Sequence, residues 1–311
     1  MACLIAAAAH LVAPRGRAAF AESTNTGDAV IRAPALGSEI VITTTHRLAG
    51  AIDSLTWGGA EFIDSADHGR QLQSACSFDC ARAGEFWAEC FNPTEAGSRD
   101  DGAGNKSSSR LLSLHAAGNE LRTSTQMAFW LAPGEKSSGR PALNDTVLSR
   151  HRVAKRVHIG YRQWAGVLDY HVTFTVPAGE HHTFAQFEAL TGYMPAKFST
   201  FWKLAPDSGK LEPLDDHPGE QRHPVVLATA DGQHAMGVYS PDQPSRGFEQ
   251  AGYGRFRFAA EQVVKWNCVF RVRNPAGIAA GDYPFRMFVA VGTSDDVQQA
   301  LAALRAEFEH R

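Results

Sequence analysis

Leu168-Asp169-Tyr170-His171-Val172-Thr173-Phe174-Thr175-Val176 places a large apolar residue at every second position, with Asp, His and Thr between them. A period of two marks a half-buried strand, because successive side chains point to opposite faces of a sheet. Similar short β-rich runs, punctuated by Gly, Pro, Asn and Asp, recur at 39–45, 51–57, 111–114, 121–130, 147–159, 225–229, 235–239, 263–272 and 285–291. Strand following strand, without helical periods between, indicates an all-β antiparallel architecture rather than βαβ alternation. One short C-terminal helix is expected. Thr293-Ser294-Asp295-Asp296 supplies an N-cap with acidic residues for the first turn, and Val297, Leu301, Leu304 and Phe308 follow at helical spacing. So many strands in 311 residues point to two large sheets packed face to face.

The composition fits a large core, with 44% hydrophobic residues, and no Pro-, Gly- or Ser-rich linker divides the chain, so residues 28–311 read as one domain. Thirty basic and 33 acidic residues, interspersed along the chain for a net charge of -3, offer no footprint for a phosphate backbone. Nucleic acid is therefore excluded as an expected partner. Residues 2–12 are almost wholly apolar and Ala19-Phe20-Ala21 follows, although Arg15 and Arg17 lie after the apolar run rather than before it. Residues 1–27 read as a signal peptide or a disordered extension, and the protein as periplasmic or secreted, or cytoplasmic if the segment is no signal. No stretch reaches the roughly 18 apolar residues of a membrane span.

Beyond that segment the cysteines are Cys76, Cys80, Cys90 and Cys268. Four residues of strand separate Cys76 and Cys80 by about 13 Å, too far for a disulfide. A turn at Ala81-Arg82-Ala83-Gly84 would bring Cys76 near Cys90; buried free thiols are the other reading. The C-x-x-x-C spacing lacks a second pair or a His cluster, so no metal is expected, and no phosphate-binding loop or other cofactor motif is present. Segments 98–109, 133–145 and 206–222 read as long loops.

The stretch His46-Arg47-Leu48-Ala49-Gly50-Ala51-Ile52-Asp53-Ser54-Leu55-Thr56-Trp57-Gly58-Gly59-Ala60-Glu61-Phe62-Ile63 resembles the N-terminal hairpin of the galactose mutarotase-like superfamily, and Asp67-His68-Gly69-Arg70-Gln71-Leu72-Gln73 resembles the loop that carries an arginine into that superfamily's sugar site. The resemblance implies a β-supersandwich that binds carbohydrate on a concave sheet. It also implies a His-bearing loop, for which Glu180-His181-His182-Thr183-Phe184-Ala185-Gln186-Phe187-Glu188 is the nearest counterpart.

Candidate residues follow from the chemistry of sugars. Arg70, with His68 and a glycine beside it, suits bidentate contacts to hydroxyls or a carboxylate, and Gln73 adds an amide fork. Trp87 and Asn92, near Glu95, combine a flat apolar face with polar forks. His182 and Glu188 can move protons near neutrality. Lys265 and Asn267 share one face of a strand, and the aromatic run containing Tyr193 and Trp202 suits either a core or a glycan groove. The expected function is cleavage of a glycosidic bond without a cofactor. Hydrolysis would use Glu95 with Glu188, two carboxyl groups about 5 to 9.5 Å apart; β-elimination would use His182 with Arg70 and Asn92. Aldose epimerisation and non-catalytic glycan binding are the alternatives.

Overall fold

In a computed structural model that describes residues 26–82 and 84–309, Leu168, Tyr170, Val172 and Phe174 of the Trp164–Val176 strand all turn into one core, while Asp169 and His171 face the other way. That strand lies in a long back sheet. Its antiparallel neighbours run from Arg110–Ala117 through Glu120–Phe129, Leu148–Tyr161 and Trp164–Val176 to Gly281–Gly292, then Ala235–Tyr239, Val225–Ala228, Thr200–Leu204 and Leu211–Leu214. A front sheet pairs Gly219–Gln221, Tyr253–Phe258, Val263–Arg273, Phe184–Pro195 and Leu72–Phe78 in that order. The short strand Pro93–Thr94 bridges Ala75 of the front sheet to Phe129 and Ala128 of the back sheet. Between the sheets Phe187 packs on Phe174 at 5.2 Å and Phe270 on Phe285 at 4.2 Å, so apolar faces from both build the main core.

The hairpin that carries the superfamily resemblance owes its shape to one carboxylate. Glu61 Oε1 accepts hydrogen bonds from the backbone N–H groups of Leu55, Phe62 and Ile63 at 2.9–3.0 Å, which fixes the end of the hairpin and turns Phe62 into the core against Phe198. The C-terminal helix, Ser294–Glu309, starts where expected. The Thr293 hydroxyl accepts from the Asp296 N–H at 3.2 Å and the Asp296 carboxylate accepts from the Thr293 N–H at 3.0 Å, a reciprocal cap. Val297, Leu301 and Leu304 then bury against Val167, Val226 and Phe288, which covers the outer face of the back sheet.

Of the three expected long loops, 98–109 is one, with a single 3-10 turn at Arg99–Asp101, and the other two are corrected. Segment 98–109 is built around Asp101, whose Oδ2 accepts from Ser98 N, Ser108 N and the Ser108 hydroxyl. Segment 133–145 contains the small hairpin Lys136–Ser137 and Arg140–Pro141, and 206–222 contains Leu211–Leu214 and Gly219–Gln221, so neither is an unstructured loop. Leu72–Phe78 and Phe184–Pro195, for which the sequence shows no clean alternation, are central strands. The four cysteines beyond residue 27 are free thiols, and burial pushes the Cys80 thiol up to about 12. The apolar run at 2–12 and Ala19-Phe20-Ala21 lie outside the described residues. No helix among the described residues is long and apolar enough to cross a membrane.

Candidate functional site

Register across the front sheet assembles the site. Gln73 lies opposite Thr191 and Thr191 opposite Asn267, while Tyr193 lies opposite Lys265. Paired residues project to the same side, so these side chains form adjoining rows on one face. Glu188 would point away from Thr191 in a regular strand, because three residues separate them. A register shift between Glu188 and Thr191, present against both neighbouring strands, inserts the extra residue of a β-bulge and returns both to the same face. The Thr191 hydroxyl then donates to Glu188 Oε2 at 2.8 Å. On the opposite face Gly192 leaves room for the Trp266 indole; a Cβ there would lie 2.5 Å from the ring. The strand is thereby held at a fixed height over its core.

Above these rows lies a cavity of about 320 Å³. Tyr193, Phe258 and Trp130 give it aromatic walls, with Tyr193 and Phe258 stacked at 6.3 Å. Trp130 reaches the cavity by packing over Gly69, where a Cβ would lie 2.7 Å from the indole. Its polar lining includes Asp67, Arg70, Glu89, Glu188, Glu261 and Lys265.

Both cations are paired with a carboxylate of the lining. Lys265 Nζ lies 3.0 Å from Glu188 Oε2 and 5.1 Å from the centre of the Tyr193 ring, and Arg70 Nε lies 3.0 Å from Asp67 Oδ2. Burial alone would raise the Glu188 pKa, but the Lys265 ammonium and hydrogen bonds from Thr191, Lys265 and Asn267 outweigh it and hold the carboxyl below its ordinary value. Burial acts on Lys265 in the reverse sense and is likewise outweighed, here by Glu188 and Tyr193, so the lysine is raised. Glu188 is therefore an ionised carboxylate at neutral pH: it can accept a proton and has none to give. Burial raises the Tyr193 phenol.

Of the residues singled out from the sequence, Arg70, Gln73, Asn92, Glu188, Tyr193 and Lys265 line this cavity. The amides there also brace the scaffold. Gln73 donates to Gly69 O at 3.0 Å and accepts from Ala96 N at 3.1 Å, and Asn92 donates to Cys76 O at 2.8 Å and to the Ser77 hydroxyl at 3.0 Å. Asn267, 3% exposed, supports Glu188 from beneath. His68 is tied into the fold, with Nδ1 2.7 Å from Gly102 O and Nε2 2.9 Å from Arg47 O. Trp87 lines a neighbouring cavity of about 260 Å³, its indole donating to Ser137 Oγ at 3.0 Å beneath the Arg140 guanidinium.

Two of the three expected catalytic side chains lie elsewhere. Glu95 is fully buried in an ion pair with Lys155 and accepts from Ser74 N, so no substrate reaches it. His182 is buried beside Glu180 and packed on Phe78 at 4.6 Å, apart from the cavity lining. Trp130, Thr191, Glu89, Phe258 and Glu261 were not singled out. The available signal was Gly192 between Thr191 and Tyr193, since a glycine inside a strand marks a bulge or a close approach.

No protein-family model matches the sequence, and no curated protein sequence matches it significantly. Solved structures do. A glycosyl hydrolase family 38 protein from Enterococcus faecalis superposes with a TM-score of 0.50 at 9% identity, over 91% of this chain and 32% of its own. A protein assigned as an aldose 1-epimerase from Escherichia coli K12 gives 0.45 at 10% identity, over 86% of this chain and all of its own. A heparan sulfate lyase from Pedobacter heparinus gives 0.41 at 10% identity, over 90% of this chain and 38% of its own. At such identities the likeness is one of fold.

Proposed function

We propose, starting from the galactose mutarotase-like fold that this chain has, that it binds a neutral sugar in the front-sheet cavity, with Glu188 as the base that takes a proton from a bound hydroxyl. A pyranose presents flat C–H faces and a rim of hydroxyls. Trp130, Tyr193 and Phe258 supply apolar surfaces for the first, and Glu188, Glu89 and Glu261 supply acceptors for the second. The observation that carries the reading is the charge pattern. Four carboxylates line the cavity against two cations, and both cations are already engaged by Asp67 and Glu188. A uronate would meet this excess negative charge without an unpaired cation, which disfavours β-elimination.

Glycosidic hydrolysis needs a protonated carboxylic acid opposite an ionised carboxylate, and Glu95, the expected partner of Glu188, is buried in its pair with Lys155 outside the cavity lining. In anomer interconversion an ionised carboxylate can take the O1 hydroxyl proton as the C1–O5 bond breaks, with water in the cavity returning a proton to O5, and the reverse steps close the ring on either face. Export from the cytoplasm belongs to the same proposal and rests on the apolar segment at 2–12.

Polarimetry with freshly dissolved neutral aldoses tests the step. Acceleration by the wild type and a loss of at least tenfold in Glu188→Gln support it. Release of reducing ends from neutral glycans would replace it with hydrolysis, and sugar binding without any turnover would leave a binding protein.

A further inference from the structure

At the far end of the Leu72–Phe78 strand from the sugar cavity, His151, Glu180 and His182 converge, and their ligating atoms all lie within 4.8 Å of one another. His182 Nε2 is 3.1 Å and His151 Nε2 is 3.4 Å from the same carboxylate oxygen, Glu180 Oε2. The second separation is long for a charge-assisted hydrogen bond, which runs about 2.7–2.9 Å. Both values bracket the edge of a tetrahedron whose corners sit 2.0–2.1 Å from a zinc ion, about 3.3 Å.

The surroundings favour ligation over an ordinary ion pair. His151 and His182 are 1% and 3% exposed, and neither ring nitrogen of His151 has a hydrogen-bond partner. Phe78 packs on both imidazoles, at 4.9 and 4.6 Å, and Phe91 on both at 6.0 and 5.3 Å. An apolar wall of this kind fixes the two rings in place and shields the site from bulk water. The other carboxylate oxygen, Glu180 Oε1, is held by Arg150 at 3.1 Å, which orients the carboxylate with Oε2 toward the histidines. Glu180 and His182 also border a shallow cavity of about 400 Å³, through which a water can reach a fourth coordination position.

The geometry points to a divalent-metal site of the zinc class, with His151 Nε2, His182 Nε2 and Glu180 Oε2 as protein ligands and water as the fourth. Two imidazoles and one carboxylate select zinc or a similar first-row ion over magnesium or calcium, which prefer all-oxygen shells. The ion would clamp the 177–183 connection onto the Leu148–Tyr161 strand, a structural role independent of the sugar cavity.

Chelator-stripped full-length protein, titrated with zinc against a chromophoric competitor, tests this directly. One equivalent should bind with micromolar or tighter affinity, and its binding should raise the melting temperature. Cobalt substitution should give the intense visible d–d absorption of a four-coordinate site. His182→Ala should abolish that equivalent and Glu180→Gln should weaken it at least tenfold, while His217→Ala, at an exposed histidine, should leave it intact. Glu180→Gln keeps the size of a side chain at the cavity edge, so it decides the matter even if His182→Ala does not fold. Absence of tight binding, or an equivalent that survives Glu180→Gln with an unchanged cobalt spectrum, overturns the proposal.

Discussion

Replacing Glu95 by Gln should cost stability and leave sugar recognition alone. Glu95 and Lys155 are both 0% exposed at their side chains, with Ser74 N donating to the second carboxylate oxygen at 3.1 Å. The glutamine can still accept from Ser74, but the Lys155 ammonium then sits in the core without a counter-charge. Removing one partner of a buried ion pair costs about 3–5 kcal/mol. For a chain of 311 residues, at roughly 2 °C per kcal/mol, that is a fall in Tm of about 6–10 °C. Pairing the change with Lys155→Met removes the stranded charge at similar volume, and the double variant should recover at least about 2 kcal/mol relative to Glu95→Gln. Urea unfolding of the four proteins closes the cycle, provided the slopes agree. A cost below about 1 kcal/mol would refute the buried-pair reading. Lost sugar binding at unchanged Tm would instead return Glu95 to the site.

Other consequences are more local. Asp169, 12% exposed at its side chain, suffers burial that alone would raise its pKa, but His171 and Arg286 bring it down to about 2 from the ordinary 3.8. The stability it contributes, on the order of 2 kcal/mol, is therefore present above pH 4 and lost as pH falls toward 2. Asp169→Asn should be destabilised at pH 7 by up to that amount and should converge with the wild type near pH 2, by chemical denaturation at each pH. Gly192→Ala forces a methyl to 2.5 Å from the Trp266 ring and should cost about 1–3 kcal/mol, with a shift in tryptophan emission. Thr293→Ala removes the reciprocal helix cap and should cost about 0.5–2 kcal/mol, read as a lower urea midpoint.

The back sheet was legible where its strands bury one face and leave the other more open, as Trp164–Val176 does from Tyr170 to Val176, because alternation survives there in the sequence. The strands that carry the site were harder to read for a physical reason. Phe184–Pro195 changes face at its bulge, so Glu188 and Thr191 break the period of two that marks a strand. Leu72–Phe78 is small and polar where it forms the cavity floor. Arg70, Gln73, Asn92, Glu188 and Lys265 could be picked out by residue type near a resembling motif, and all reach one cavity. Glu95 and His182 are of the same types, and nothing local distinguishes them. Only the distant Lys155, on another strand, and Phe78 with Glu180 determine that they are buried. Trp130 was missed because its place in the cavity depends on contact with Gly69, 61 positions earlier in the chain.

The central claim is that the front-sheet cavity holds a neutral sugar. Calorimetric titration of the wild type and Trp130→Ala with a matched pair of glycans, one neutral and one carrying uronates, addresses it most directly. The account predicts that the neutral glycan binds, that the uronate form binds at least tenfold more weakly, and that Trp130→Ala loses the neutral ligand while keeping its Tm. Preferential binding of the uronate, or neutral binding undiminished in Trp130→Ala, would contradict it.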